Sequence, residues 1–172
     1  MLGAPKAAAS RCYTNLLVDD FSQFHYHKNS LGLKASDDGS MRTIAASNGS
    51  ISFTPQNQSY FYEAVPCITV EATGYIAIAF RIRAPPDASI TLEMQTAQQD
   101  CSSEAFNSTW RYVGNFTGSE QRVVAPMSSW KGVRTTGIVA FNWATWQTGE
   151  KKFVWELADV ELICGEKHRH HA

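Results

Sequence analysis

Hydrophobic and polar positions alternate along this chain in short runs, with almost no helical periodicity. In the clearest run, YIAIAFRIR at Tyr75–Arg83, the even-numbered residues are large and apolar, whereas the odd-numbered ones from Ala77 onward are small or basic. Alternate side chains of a strand lie on opposite faces. The run SITLEMQ at Ser89–Gln95 repeats this pattern after the turn APPDA. The two runs therefore predict a hairpin with one core face and one polar face.

Further short runs are bounded by Gly, Pro, Asn, Asp and Ser, which is typical of an antiparallel β-sandwich or barrel. In the last run the apolar positions change parity between Leu157 and Val160, so we expect a β-bulge near Ala158. We expect an irregular loop between Thr96 and Thr109. The other predicted strands are Asn15–Phe21, Met41–Ala45, Ser50–Thr54, Tyr60–Tyr62, Ile68–Glu71, Trp110–Phe116, Gln121–Pro126, Thr136–Trp143 and Phe153–Ile163.

Length and charge indicate one domain without a nucleic-acid or membrane partner. The chain has 172 residues, which is long enough to bury a core. Its net charge of −1 gives no electrostatic attraction to nucleic acid or anionic lipid. No apolar run approaches the roughly 18 residues of a membrane helix. We assign 12–164 to a single domain, expect 1–11 and 165–172 to be disordered, and expect a monomer.

Glycosylation sequons indicate a secreted, extracellular glycoprotein. The four sequons are NGS, NQS, NST and NFT, more than chance predicts, and each lies in a polar stretch where a glycan can remain in solvent. Their acceptor residues are Asn48, Asn57, Asn107 and Asn115.

The cysteines support the same compartment. The chain has four cysteines, and their spacing lacks the CxxC or Cys/His clusters of a zinc site, so disulfides are favoured over free thiols. Three pairings are open. We favour Cys12–Cys164, which joins the two ends of the domain and pins the terminal strands side by side, and Cys67–Cys101, which spans a hairpin.

Several short motifs resemble the galactose-binding-like β-jelly-roll domains of secreted fungal proteins, which are similar to carbohydrate-binding modules. They are VDDF at 18–21, NSLG at 29–32, SDDGSM at 36–41, LEMQT at 92–96, and the closing pattern W-x-x-x-D-V-x-L-x-C at 155–164. The resemblance implies an antiparallel jelly roll without catalytic activity. It also implies glycan binding on a sheet face or at loop tips, and a structural calcium near the chain termini.

The calcium that the resemblance implies has candidate ligands near the two ends of the domain. Asp19 and Asp20 lie near the end of the first predicted strand, and Asp159 lies on the last one, close by if the terminal strands pair. Carboxylate oxygens are the ligands that Ca²⁺ prefers. The alternative is that one aspartate caps a turn and the other is solvated. A pair of histidines, His25 and His27, has no obvious third ligand, so we interpret both as surface residues.

Exposed aromatic residues are the best candidates for ligand contact, because a sugar ring stacks its apolar face on Trp or Tyr while polar side chains bind its hydroxyls. Core positions are the alternative, and we expect them for Trp143 and Trp155. We predict a polar sheet face beside Trp110 and Tyr112. The predicted carbohydrate-binding residues are Trp110, Tyr112, Trp130, Trp146, Arg81, Arg83, Glu93 and Gln95.

A catalytic interpretation needs two carboxyl groups about 5 to 9 Å apart across a groove. Glu93 is a candidate for one, with Glu63, Glu71 or Glu104 as its partner, but none lies in a recognisable catalytic motif. An ion pair of Glu93 with Arg81 or Arg83 is the simpler interpretation. We therefore expect a non-catalytic domain that binds a cell-wall or plant polysaccharide. The alternatives are a glycoside hydrolase or lyase on the same fold, and a protein-binding adhesion or effector domain.

Overall fold

The computed structural model describes residues 11–165, which form two antiparallel sheets packed face to face. The predicted all-β jelly-roll sandwich is confirmed. Apart from Arg11 and Gly165, the two predicted disordered ends lie outside the described residues. The strands are β1 (Leu16–Asp19), β2 (Ala35–Asp37), β3 (Thr43–Ser47), β4 (Ser50–Thr54), β5 (Tyr60–Ile68), β6 (Tyr75–Arg83), β7 (Ser89–Ala97), β8 (Phe106–Val113), β9 (Glu120–Pro126), β10 (Ile138–Gln147) and β11 (Trp155–Cys164).

Helical structure is confined to three short segments within these residues: the 3₁₀ turns Phe24–Tyr26 and Met127–Ser129, and one α-helical turn, α1, at Val70–Thr73. The strand predicted at Ile68–Glu71 is therefore wrong beyond Ile68, where β5 ends. No helix of residues 11–165 is long and apolar enough to cross a membrane. The irregular loop between β7 and β8 is shorter than predicted, because the strands extend to Ala97 and from Phe106.

The strand order decides which residues share a surface. One sheet has the order β3-β4-β11-β6-β9, with β1 paired to β11, and the other has the order β2-β5-β10-β7-β8. The predicted β6–β7 hairpin is wrong, because the connection through Pro85 and Pro86 carries the chain from the first sheet to the second. Alternation in the sequence shows that a strand has one buried face. It does not show to which sheet the strand belongs, because both sheets of a sandwich bury one face.

The two ends of the domain lie side by side, as predicted. β1 pairs with β11, and Cys12 and Cys164 are bonded, with their Cα atoms 5.8 Å apart. The register of β11 shifts after Ala158, and Asp159 takes a φ of 47° there, which confirms the predicted bulge. The second disulfide joins Cys67 and Cys101, also as predicted. It links the end of β5 to the loop after β7 and does not span a hairpin.

Aromatic side chains fill the space between the sheets. Phe80 on β6 and Trp143 on β10 meet edge to face, with ring centroids 5.4 Å apart. Trp155 on β11 packs against Phe53 and Phe116. Trp143 and Trp155 are thus core residues, as expected from the sequence. This core holds the five-stranded sheet with one face inward and the other toward solvent.

Candidate functional site

A groove of about 630 Å³ lies on the outer face of the five-stranded sheet. It runs over strands β2, β5, β7, β8 and β10, because each contributes at least one lining side chain. Side chains directly opposite each other on neighbouring strands point to the same face. The groove is lined by Lys34, Ser36, Asp37, Tyr60, Tyr62, Glu93, Gln95, Phe106 and Asn142.

Besides Tyr60 and Phe106 in the groove lining, three further exposed aromatic residues lie on the same outer face, beside the groove toward β8 and outside its lining. Trp110 is opposite Glu93, and Tyr112 is opposite Thr91. The Trp146 ring meets the Trp110 ring edge to face, with centroids 5.7 Å apart. Trp110 is 47%, Tyr112 67% and Trp146 44% exposed, although each has a large apolar ring. Together they form an aromatic cluster of the kind that binds planar apolar surfaces.

The floor of the groove carries two nearly buried acceptor groups, one of which has an oxygen without a donor. Glu93 and Asn142 are opposite each other on β7 and β10, and both are more than nine-tenths buried. Gln95 donates a hydrogen bond from Nε2 to the Glu93 carboxylate, whereas Asn142 Oδ1 accepts none. An unpaired buried acceptor costs about 1–3 kcal/mol. A ligand that donates hydrogen bonds here relieves this cost.

The other end of the groove, toward β2, combines a cation with tyrosines. The Lys34 ammonium lies 5.4 Å from the centroid of the Tyr62 ring. Burial, and then the charge of Glu93, raises the pKa of the Tyr62 hydroxyl above its ordinary value. This hydroxyl therefore keeps its proton at neutral pH and is available as a donor. Tyr60 and Tyr62 are not among the predicted carbohydrate-binding residues, although their shared parity on one strand was the available signal.

Arg81 and Arg83 do not belong to this groove, contrary to the prediction. They lie on β6, in the six-stranded sheet, so they are on the opposite side of the molecule from Glu93. Arg81 forms ion pairs with Glu120 at 2.7 Å and with Asp159 at 2.6 Å. The prediction failed because it placed β6 and β7 in one hairpin.

Trp130 is also absent from the groove. Its side chain is 1% exposed, and Nε1 donates to the Leu92 carbonyl oxygen at 3.0 Å. The ring packs against Phe141 in the core. The polar neighbours Ser128 and Ser129 make the segment look like an exposed loop, but the 3₁₀ turn Met127–Ser129 directs the indole inward. Trp130 is thus a structural residue.

The carboxyl groups considered for catalysis do not meet Glu93. Glu63 lies on β5 but is fully buried on the core side of the strand, whereas Glu93 faces the groove. Glu71 is on α1, where its Oε1 accepts a hydrogen bond from Thr135. Glu104 lies in the exposed loop between β7 and β8. The structure brings none of these three to the groove lining.

Asp19 and Glu63 form a buried acidic pair between the sheets. Burial raises the pKa of Asp19, and burial, followed by the Asp19 charge, raises that of Glu63 well above its ordinary value. Asn29 donates from Nδ2 to Glu63 Oε2 at 3.1 Å, and the Phe21 N–H donates to Asp19 Oδ1 at 2.7 Å. Asp19 Oδ2 and Glu63 Oε1 have no other donor, and the two side chains hydrogen-bond to each other through a proton held on Glu63. A hard cation could take the place of this proton.

The other predicted calcium ligands lie away from this pair. Asp20 caps a turn through Oδ1, which accepts hydrogen bonds from the Ser22 N–H and the Ser30 hydroxyl. Asp159 points to the outer face of the six-stranded sheet, toward Arg81. No group of three or more His, Cys, Asp or Glu residues within 11–165 is placed to hold a metal ion. The predicted set Asp19, Asp20 and Asp159 is therefore not brought together.

The four sequon asparagines are all exposed. Asn48 lies in the β3–β4 turn, Asn57 in the β4–β5 loop and Asn115 after β8. Asn107 is on β8, opposite Thr96 and next in sequence to Phe106, which lines the groove. None of the four asparagines lines the groove. Glycosylation at these positions stays a prediction.

No family model and no curated protein matches this sequence, but solved structures share its fold. A family 11 carbohydrate-binding module of Clostridium thermocellum, in complex with a β-1,3-1,4-mixed-linked tetrasaccharide, is similar with a TM-score of 0.60 and 13% identity over 91% of this chain and 99% of that one. A family 29 module complexed with cellulohexaose has a TM-score of 0.55 and 6% identity, covering 88% and 92%. Both share the β-sandwich; the galactose-binding-like assignment and the fungal origin stay predictions.

Proposed function

We propose that this protein binds a neutral polysaccharide of a cell wall or plant in the groove, without cleaving it. One observation carries the proposal: exposed Trp110, Tyr112 and Trp146 lie on the same face as two nearly buried acceptor groups, Glu93 and Asn142, and Asn142 Oδ1 has no donor. Sugar rings offer both an apolar face and hydroxyl donors. The modules of similar fold, one in complex with a mixed-linked tetrasaccharide and one with cellulohexaose, support this choice of ligand.

Each group has a distinct role in this proposal. The aromatic cluster stacks on sugar rings and supplies most of the affinity. Glu93 and Asn142 accept hydrogen bonds from hydroxyl groups, and Gln95 holds the Glu93 carboxylate in place. The Tyr62 hydroxyl donates to a ring or hydroxyl oxygen at the other end of the groove. The floor of the groove thus orients the polysaccharide, and the aromatic cluster supplies most of the affinity.

The charges of the groove favour a neutral ligand over an acidic one. Asp37 and Glu93 are the lining carboxylates, and Lys34, the lining cation, already lies over the Tyr62 ring. An anionic sugar placed on Glu93 would add a like charge at a nearly buried position, which is costly. Neutral glucans and xylans fit better than polymers of uronic acids.

Replacing Glu93 with Gln tests both the ligand class and the absence of cleavage. We expect the variant to bind neutral polysaccharides about tenfold more weakly, because a charge-assisted acceptor is worth more than a neutral one. The measurement is depletion of the protein by insoluble cellulose, xylan and mixed-linked glucan, with polygalacturonate as the acidic comparison. Soluble sugars are assayed in the same samples.

Sugar release by the wild-type protein, lost in Glu93→Gln, would favour the hydrolase or lyase instead. Preferred binding of polygalacturonate by the wild-type protein would contradict the neutral ligand class. Arg122→Gln is the matched control, since Arg122 pairs with Glu161 on the opposite sheet and should leave binding unchanged.

We further propose that the protein works outside the cell as a monomeric glycoprotein. The two disulfides support the extracellular location, and the exposure of all four sequon asparagines supports the glycosylation. Disulfides persist in oxidising compartments. A polysaccharide-binding domain also meets its ligand there.

A structural calcium at the Asp19–Glu63 pair is a second proposal, supported by two buried carboxyl oxygens, Asp19 Oδ2 and Glu63 Oε1, whose one available donor is a proton held on Glu63. These two side chains would hold the ion together with further oxygen ligands. Its charge would compensate the two buried carboxylates and tie β1 to β5 across the sandwich. The ion would have no part in contacting the polysaccharide, because both side chains lie on the core side of their strands.

Stability as a function of pH tests the calcium proposal. Without a cation, Glu63 holds its proton more tightly in the folded protein than in the unfolded chain, where its pKa is about 4.5. The stabilisation that comes from this tighter proton binding is fully present when the pH is below the unfolded-chain pKa of Glu63. It is lost as the pH rises through the folded-state pKa. In a chelator, the melting temperature should therefore fall as the pH is raised toward neutrality.

Calcium at about a hundredfold excess over its dissociation constant should raise the melting temperature at neutral pH by about 5–10 °C. Glu63→Gln should remove both the calcium response and the pH-dependent loss, whereas Asp159→Asn should remove neither. A melting temperature that is the same with calcium and with chelator would refute a structural ion at this pair.

A further inference from the structure

We propose that Gly114 is a positioning residue, which holds the Tyr112 ring in place for stacking because it has no side chain. This inference rests on the proposed function of the groove, and it assigns a role to a residue that does not itself contact the ligand. The observation that carries it is the close approach of the outer end of the tyrosine ring to the Gly114 backbone.

The space that a side chain at position 114 would occupy is filled by Tyr112. A Cβ atom added to Gly114 would lie 2.8 Å from Cζ and 2.9 Å from Cε1 of that ring, and closer still to the hydroxyl oxygen. Carbon atoms in favourable contact are about 3.5–4.0 Å apart. Any residue other than glycine at this position therefore displaces the ring.

The backbone itself does not require glycine here. Gly114 is not among the glycines with a positive φ, unlike Gly118 a few residues later. Alanine is therefore compatible with the main chain at position 114, and it costs less conformational entropy than glycine. The steric conflict with Tyr112 is what distinguishes glycine from alanine at this position.

The consequence is a partly ordered yet exposed aromatic ring. Tyr112 is 67% exposed, so few core contacts fix its rotamer. Lying over Gly114 restricts the ring on one side and leaves the remainder toward solvent. A side chain that is already ordered loses less freedom on binding. Gly114 thus raises affinity through preorganisation.

The Gly114→Ala variant tests this inference when combined with Tyr112→Ala in a double-mutant cycle. We expect Gly114→Ala to weaken binding of a neutral oligosaccharide between about threefold and tenfold, with an unchanged or higher melting temperature. In the Tyr112→Ala background, the same change at position 114 should have no further effect. Affinity is measured by titration calorimetry, with all variants in the same state of glycosylation.

A second measurement needs no ligand and separates the inference from the proposed function. The Hα resonances of Gly114 should differ between the wild-type protein and Tyr112→Leu, because a neighbouring aromatic ring shifts them. Unchanged Gly114 resonances, or losses that add in the double mutant, would overturn the positioning role. If Tyr112→Ala leaves binding intact while the resonances do change, the positioning is supported and the proposed use of Tyr112 in binding is contradicted.

Discussion

Replacing Trp110 with alanine is expected to weaken polysaccharide binding by about thirtyfold, corresponding to about 2 kcal/mol, the cost of losing a central aromatic contact. Trp110 is opposite Glu93 and in contact with Trp146, so its loss affects both the stacking surface and the floor beside it. The fold should be unaffected, because the indole is about half exposed on an edge strand. Titration calorimetry with a neutral oligosaccharide measures the change.

Tyr13→Ala provides the matched control for Trp110→Ala. Tyr13 is 76% exposed and follows Cys12, which is bonded to Cys164 on β11 of the other sheet. Its removal should leave affinity unchanged. Equal losses of affinity for the two variants would show that exposed aromatic residues contribute without regard to position. That result would contradict specific binding at the groove.

Replacing Cys12 and Cys164 together with alanine is expected to destabilise the protein by up to about 5 kcal/mol, since a cross-link over a very long loop removes the most entropy from the unfolded chain. The two cysteines are separated by 152 residues and are both buried. Their bond also holds the paired strands β1 and β11 together at the ends of the domain. Chemical denaturation with a two-state fit gives the free energy of unfolding.

The Cys67→Ala/Cys101→Ala variant gives the internal comparison. That bond closes a separation of 34 residues, so the same entropy model predicts a smaller loss, about 4 kcal/mol. The order of the two losses is the informative result. A greater loss for the shorter loop would contradict a dominant role for chain entropy in stabilising this fold.

Local alternation in the sequence predicts individual strands well but does not predict their partners. The runs at Tyr75–Arg83 and from Ser89 onward are strands β6 and β7. The parity change near Ala158 predicted the bulge of β11, because a change of face within one strand is a local signal. The disulfide between the chain ends followed from the position of Cys12 before the first strand and Cys164 at the end of the last.

Sheet membership and burial depend on contacts between residues distant in sequence, and there the prediction failed. Arg81 and Glu93 are close in sequence, yet they lie on opposite sides of the sandwich. The burial of Trp130 depends on the Leu92 carbonyl, 38 residues away in sequence. The pairing of Asp19 with Glu63 likewise requires the two sheets to be packed together. By contrast, the prediction correctly placed Trp110 and Tyr112 on one surface with Glu93, because β7 and β8 are neighbours both along the chain and in the sheet.

The most direct test of polysaccharide binding in the groove is a titration of the isotope-labelled protein with cello-, xylo- and mixed-linked oligosaccharides, followed through its amide resonances. Binding in the groove predicts that the shifted amides lie on β5, β7, β8 and β10, together with the indole N–H signals of Trp110 and Trp146. Shifts confined to β3, β4, β6, β9 and β11, or no shift with any of these neutral ligands at millimolar concentration, would contradict it.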